Sequence, residues 1–265
     1  MEINSLESIS NKTTIDSNDL QVASCTLQQL LDTTRVAIPS TNIKGQLMIP
    51  EYQRPYVWGE KQLNRLLKDL AEYQADQSID KPLYYLGSVI LHQDGDRLKI
   101  IDGQQRITTA LLLQKINQPA YRSGIVFNSS LSIKNIKYNL SYLKSVHNKE
   151  IFDFRDCEVI AETDFSKINL TVVVTSTEDL AYTFFETQNT GGVRLDGSDI
   201  LKAHHLRAIT SKKIVNYQAK RWESIASENV ENIVQQLTKI RFWDNRHWKN
   251  FPFYRDRKGI MELLH

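Results

Sequence analysis

The chain has 265 residues, of which 41% are hydrophobic and 24% charged, and its formal net charge is +2. This composition is that of an ordinary globular protein and excludes a collagen-like, mucin-like or wholly disordered chain. The aliphatic runs are short, with residues 110–113 among the longest, whereas a membrane-spanning helix needs about 18 or more apolar residues. We therefore expect one or two folded domains and no membrane partner.

The two cysteines and the start of the chain indicate a reducing cytoplasm. Cys25 and Cys157 are far apart and have no Cys or His neighbours at metal-ligand spacing. This spacing argues against both a disulfide framework and a structural zinc site. The polar first residues lack the apolar segment of a signal peptide, so we predict a flexible leader over residues 1–23.

The first half of the chain predicts helices and strands in alternation. Residues 26–31 predict a short helix and residues 45–49 a strand. The next helix is amphipathic, because its apolar residues recur at helical spacing: Leu63, Leu66, Leu67, Leu70 and Tyr73. Residues 84–92 and 97–101 predict a hairpin, since the Asp-Gly pair between them tolerates the positive φ of a tight turn.

The second half predicts one more strand among several helices. The strand is β-branched and covers residues 168–175, and the helices cover residues 104–116, 178–188 and 196–209. Residues 120–150 are ambiguous, with a short helix near residues 140–143. Because the strands precede most of the helices, we predict an α+β domain over residues 24–210. A helical, aromatic-rich region follows over residues 211–265.

Charge is unevenly distributed along the chain. Residues 103–149 contain no Asp or Glu, whereas residues 150–199 contain eleven acidic side chains. The two stretches are either solvated surfaces or a local positive field that attracts phosphate beside an acidic one. Residues 241–258 interleave six aromatic with six basic side chains, which suits either nucleic acid or a partly buried helical end.

The most informative stretch reads DGQQR and covers residues 102–106, where a strand turns into a helix. The free N–H groups of the first helical turn form an anion site, and Gly103 lets a ligand approach the backbone. Arg106 and the hydroxyl of Thr108 can contact phosphate oxygens, and Asp102 suits Mg²⁺ or an attacking water. Alternatively, Asp102 is simply the N-cap of the helix.

Two further segments offer groups for a nucleotide. In residues 50–58, Tyr52 presents an aromatic ring to a base and Arg54 a guanidinium to a phosphate. Asn189 ends a helix before a Gly-Gly loop, and Lys202 in the next helix can reach a phosphate. Each segment can equally be a packing or solvated feature. Motifs of other enzyme classes are absent from the sequence: GxxxxGK[ST], GxGxxG, HExxH and GxSxG.

The chain resembles the GmrSD-type restriction domain family over about residues 26–206. The resemblance rests on four segments in the family's order: IPEYQRPYVW, YYLGSVIL, KIIDGQQRITTALLL and FFETQNTGGVRLDGSDILKAHHL. It implies a ParB/sulfiredoxin-like nucleotide-binding fold, with a small mixed sheet and helices. The ParB motif Gly-Glu-Arg-Arg-x-x-Ala is matched here only at Gly103 and Arg106. Relatives bind or hydrolyse nucleoside triphosphates and couple this to the cutting of modified phage DNA.

Together, the residue types and the resemblance indicate one site. Asp102, Gln105 and Arg106 would be catalytic, with Asp102 also holding Mg²⁺. The nucleotide would contact the residues around them: Gly103, Gln104, Thr108, Tyr52, Gln53, Arg54, Asn189 and Lys202. Asp199 would lie near the same pocket.

The leading hypothesis is an Mg²⁺-dependent NTPase subunit of a modification-dependent restriction or anti-phage system, with DNA as a partner. Many relatives continue into a His-Asn-His nuclease domain, and that motif is absent from this sequence. Either the nuclease is a separate subunit, or the chain is a fragment, or the protein does not cut DNA itself. Two other functions stay open: a nucleotide- or DNA-binding regulator without turnover, and a scaffold that docks a nuclease. A homo-oligomer is compatible with all three.

Overall fold

The fold is built on a six-stranded mixed sheet, seen here in a computed structural model. Its strands are β1 Leu20–Thr26, β2 Val36–Ala37, β3 Lys44–Met48, β4 Tyr84–Asp94, β5 Arg97–Asp102 and β6 Ile168–Thr175. Across the sheet they follow the order β1-β6-β4-β5-β3-β2. The pairs β3/β5 and β4/β6 are parallel and the others antiparallel, so the predicted mixed sheet is confirmed. The residues that the structure describes are 19–31, 35–38, 41–76, 78, 80–148, 159–160, 163–181, 202–203, 205–206, 208–225, 229, 232–233 and 236.

The first strand is an element that the sequence analysis missed. Residues 20–23 were assigned to the leader, but β1 pairs with β6 along its whole length, from Leu20 opposite Thr175 to Thr26 opposite Asn169. Its inward residues Ala23 and Cys25 are small, so the alternation of large apolar and polar side chains is weak. Residues 1–18 of the predicted leader lie outside the described residues.

The helices are α1 Leu27–Leu31, α2 Glu60–Ala75, α3 Gln104–Asn117, α4 Ser130–His147 and α5 Lys212–Ser224. The first three are confirmed predictions, whereas α4 is much longer than the short helix predicted near residues 140–143. The predicted helices at 178–188 and 196–209 are described only in part, at residues 178–181, 202–203 and 205–206. Among the described residues, no helix is long and apolar enough to cross a membrane.

Apolar side chains cover both faces of the sheet. Because successive strand residues point to opposite faces, Leu91 and Val172 join the larger core under α1 to α4, while Ile90 and Val173 face a second cluster. That second cluster contains Tyr52 and apolar residues beyond β6: Ala181, Ala203, Leu206 and Ala219. The sheet is therefore a central layer between two apolar clusters.

Cys25 should make the fold sensitive to alkaline pH. Burial raises the pKa of its thiol from 9.0 to about 11. Between these pH values the unfolded chain ionises the thiol and the folded protein does not, so the stabilisation present below pH 9 is lost as pH rises towards 11. We expect a loss of about 3 kcal/mol in the free energy of unfolding. Urea unfolding from pH 8 to 11 should show a steeper fall for wild type than for Cys25→Ala; equal slopes would contradict this.

Candidate functional site

Strand β5 passes into α3 through a single left-handed residue. Gly103 is the N-cap of α3, with φ 90° and no side-chain cap bond. A Cβ atom added at this position would lie 2.8 Å from Cγ2 of Val89, so both the backbone and the packing require glycine. Asp102 ends the strand and does not cap the helix, which answers the question that the sequence left open.

The first turn of α3 presents unpaired N–H groups. The first helical hydrogen bond runs from Ile107 N to Gly103 O at 2.9 Å. In the described part of the chain, no acceptor contacts the backbone N–H of Gln104, Gln105 or Arg106. These groups carry the positive end of the helix dipole, so the turn has the geometry of an anion site.

Side chains 104, 105 and 106 point in three directions, since successive helical residues are about 100° apart. Gln105 turns to the aromatic loop of residues 55–58. Its Oε1 accepts hydrogen bonds from the N–H of Val57 at 2.9 Å and of Trp58 at 3.2 Å, and its Nε2 donates to Pro55 O at 3.0 Å. This amide holds the loop and is not presented to a ligand, as the predicted catalytic role would require.

Three polar residues of α4, missed by the sequence analysis, hold the same loop from the other side. Ser132 Oγ accepts from Tyr56 N at 2.9 Å, Asn135 Nδ2 donates to Tyr56 O at 2.7 Å, and Asn139 Nδ2 donates to Trp58 O at 2.7 Å. Their spacing of three and four residues places them on one face of a helix. That polar stripe is the sequence signal that would have revealed both α4 and its contact.

Arg106 lies against β4 and pairs with Asp102. Its Nη2 is 3.3 Å from Asp102 Oδ2, and its Nη1 donates to Leu86 O at 3.2 Å. The two side chains are 23% and 26% exposed, so the pair contributes only about 1 kcal/mol or less to stability. Gly87 makes room for it, because a Cβ atom there would overlap Nη1 of Arg106. Gly87 is a further site residue that the sequence analysis did not single out.

A cavity of about 140 Å³ opens beside Gln104. Residues 49–55, residues 126–129 and α5 form most of its walls, and Gln53 and Arg54 line it as predicted. Asp102 and Arg106 do not. Within the described ranges, the Arg54 guanidinium has no hydrogen-bond or ion-pair partner. The predicted single site is therefore divided into a cavity and an ion pair, one on each side of the α3 start.

Three predicted nucleotide contacts are buried and do not line the cavity. Lys202 is 2% exposed, with Nζ 3.1 Å from Glu223 Oε1 and donating to Gln53 O at 3.2 Å. Tyr52 packs in the second apolar cluster, and Thr108 is 1% exposed inside α3. Lys202 thus holds two residues of the cavity lining, Gln53 and Glu223.

The structure does not describe two of the predicted site residues, and it bears on metal binding only through the residues that it does describe. Asn189 and Asp199 lie outside the described residues, as does the basic and aromatic segment 241–258. Over the part of the chain that the structure describes, no group of three or more His, Cys, Asp and Glu side chains could hold a metal ion.

Comparison with known proteins identifies one family. A family model described as the N-terminal domain of the GmrSD restriction endonuclease matches residues 38–206, more than half of the chain. The matched range contains the loop 55–58, the turn at Gly103 and Lys202, and it ends before α5. A comparison with curated proteins found no match.

Gly87→Ala should destabilise the protein partly by displacing Arg106. We expect a loss of about 1–3 kcal/mol in the free energy of unfolding, because φ is 113° at Gly87 and the methyl group meets the guanidinium. In an Arg106→Ala background the clash disappears, so the two losses should be non-additive by about 0.5 kcal/mol or more. Urea unfolding of wild type, Gly87→Ala, Arg106→Ala and the double variant measures this.

The matched control is Gly95→Ala, where φ is 58° and no atom lies within 4 Å of an added Cβ. It carries backbone strain alone and should be additive with Arg106→Ala. If the losses of Gly87→Ala and Arg106→Ala were also additive, the cost of a methyl group at Gly87 would not come from contact with Arg106.

Proposed function

Because the chain belongs to the GmrSD restriction endonuclease N-terminal domain family, we propose that it binds and hydrolyses nucleoside triphosphates within a restriction system that acts on modified phage DNA. Membership of the family supports a restriction role. The residues around the α3 start support the proposed nucleotide binding and hydrolysis. A ParB/sulfiredoxin-like fold, which would suit this activity, stays a prediction.

The geometry of the α3 start is the strongest support for this proposal. A left-handed glycine and three unpaired N–H groups form the turn, with Arg106 on one side of it and Arg54 on the wall of the cavity on the other side. Phosphate groups suit this arrangement, since backbone N–H groups bind their oxygens and guanidinium groups can do so in pairs. Preorganised donors of this kind also stabilise charge that develops during phosphoryl transfer.

Hydrolysis would use the Asp102–Arg106 pair. Mg²⁺ is usually held by one or two carboxylates together with phosphate oxygens and water, so a single carboxylate fits it only when nucleotide is bound. Asp102 would supply that carboxylate, and the ion would neutralise phosphate charge. Arg106 contacts Asp102 through Oδ2 only. A phosphate at the turn would attract Arg106 and release the carboxylate.

Nucleotide binding should raise the thermal stability of the protein. At one hundred times Kd a ligand stabilises by about 2.7 kcal/mol, which a thermal-shift screen of ATP, GTP, CTP and UTP with and without Mg²⁺ will detect. Arg106→Ala and Arg54→Ala should reduce the shift. The matched control is Arg65→Ala, on the exposed face of α2, which should not.

Absence of a shift with every nucleotide would contradict the proposal. If a nucleotide binds, phosphate release measured for wild type and Asp102→Asn separates binding from turnover. If wild type and Asp102→Asn release phosphate at the same rate, Asp102 has no role in hydrolysis. If wild type releases no phosphate, the protein binds nucleotide without hydrolysing it.

DNA contact is the second candidate function, and α4 favours it. Residues 103–149 contain no Asp or Glu. Within this stretch, Lys115 and Arg122 donate hydrogen bonds to backbone carbonyls of residues 119–121. Three other lysines are exposed at positions that share one side of α4: Lys134, Lys137 and Lys144. A row of cations along a helix suits a phosphate backbone. Cutting would then be performed by a separate nuclease subunit or by a further domain.

Replacing these three lysines by alanine should weaken binding of duplex DNA without regard to its sequence. The slope of log K against log salt should fall by about one for each phosphate that the variant no longer neutralises, measured by fluorescence anisotropy from 50 to 200 mM salt. A control with the same change of charge is the triple alanine variant of exposed lysines on α2 and α5: Lys61, Lys68 and Lys213. Equal slopes in both variants would exclude α4 as the DNA face, and a purely docking role would show no DNA binding at all.

A further inference from the structure

Two amide side chains line the cavity, and each has an enclosed oxygen without a hydrogen-bond partner in the described part of the chain. Gln104 is 5% exposed, and its Oε1 has no hydrogen-bond partner among the described residues. Asn216 on α5 lines the same cavity, and its Oδ1 is also buried and unpartnered in the described structure. An unsatisfied buried oxygen costs about 1–3 kcal/mol. Two of them on one cavity indicate a ligand that donates hydrogen bonds.

Phosphate is a poor occupant of this cavity. The phosphate groups of a nucleotide are largely deprotonated at neutral pH and act mainly as acceptors, and Glu51 and Glu223 lie on the same walls. Arg54 and Lys220 balance those carboxylates in formal charge. Glu223 is in addition paired with the buried Lys202. The cavity lacks the converging backbone N–H groups that the adjacent helix start has.

Part of the cavity lining is apolar. Phe127 is half-buried and Val126 is 68% exposed, and both line the cavity together with Pro50 and Pro55. A second hollow of about 280 Å³ adjoins it and shares Val126 and Asn216 in its lining. The combined space is in the lower range of small-molecule pockets, about 300 Å³ upwards. A flat, partly apolar group with polar edges fits such a space.

We propose that this cavity holds the nucleoside of the bound nucleotide, with base or ribose N–H and O–H groups donating to Gln104 and Asn216. This inference rests on the proposed nucleotide binding and adds an orientation to it. The phosphates extend past Gln104 to the N–H groups of the α3 start and towards Arg106. Because the terminal amide torsions of Gln and Asn are broad, rotation of each amide turns its enclosed oxygen towards the ligand. The base lies along Val126 and Phe127.

Isothermal titration of the full chain with nucleoside triphosphates and with inorganic tripolyphosphate tests this. Asn216→Leu removes the acceptor on α5 and should weaken nucleoside triphosphate binding about five- to tenfold, the worth of one hydrogen bond. Tripolyphosphate binding should change less than about twofold, because Asn216 would not touch that ligand. Arg106→Ala should weaken both ligands. The matched control is Gln218→Leu, two residues along α5 and outside the cavity lining, which should weaken neither.

Gln104→Met repeats the test from the other wall if Asn216→Leu does not fold, and it should discriminate between the ligands in the same way. Equal weakening of both ligands, or of neither, would overturn the nucleoside assignment while nucleotide binding stands. Wild-type protein that binds tripolyphosphate as tightly as any nucleotide would also overturn it. Wild-type protein that binds no nucleotide would overturn both this inference and the proposed function.

Discussion

The left-handed turn at Gly103 is the constraint on which the site depends. It lets β5 end and α3 begin within one residue, so that the first-turn N–H groups lie directly beside the sheet. Because α3 is buried around nearly its whole circumference, its axis cannot shift and the directions of residues 104, 105 and 106 are set. In this one turn, Gln104 lines the cavity, Gln105 binds the loop of residues 55–58, and Arg106 pairs with Asp102.

The loop of residues 55–58 is the second rigid part. Tyr56 is fully buried, and its hydroxyl lies 2.9 Å from Thr109 Oγ1 and 3.0 Å from Asn139 Nδ2. Burial raises the pKa of Tyr56, which keeps the hydroxyl neutral. These hydrogen bonds fix the position of the loop, although Asn139 Oδ1 has no hydrogen-bond partner among the described residues. The adjoining segment with Gln53 is fastened too, since Gln53 Nε2 donates to Ile101 O at 2.7 Å. The loop of residues 55–58 and Gln53 on the cavity wall are thus both held by hydrogen bonds within the protein.

Local patterns predicted much of the fold because their causes are local. The leucine stripe of α2, the Asp-Gly turn and the β-branched strand β6 each express a period or a turn preference within a few residues. β1 was missed because Ala23 and Cys25 are small. Most of α4 was missed because Asn135 and Asn139 replace apolar residues on its inner face, and their partners lie in a loop distant in sequence.

The site was located by its motif, but its division was not predictable from sequence. Spacing alone places Gln104, Gln105 and Arg106 together. Their directions depend on what packs around α3, and that packing is a property of the whole fold. Lys202 illustrates the same point, since its burial depends on Glu223, 21 residues further along the chain.

The Lys202–Glu223 pair has a consequence for where the chain can be divided. Lys202 lies within the family match and Glu223 lies beyond it, on α5. A protein ending at residue 210 would keep the buried ammonium and lose its counter-ion, a change that typically costs about 3–5 kcal/mol. It would also lose one wall of the cavity. The range that the family model matches therefore ends before a helix, α5, that supplies the counter-ion of Lys202 and one wall of the cavity.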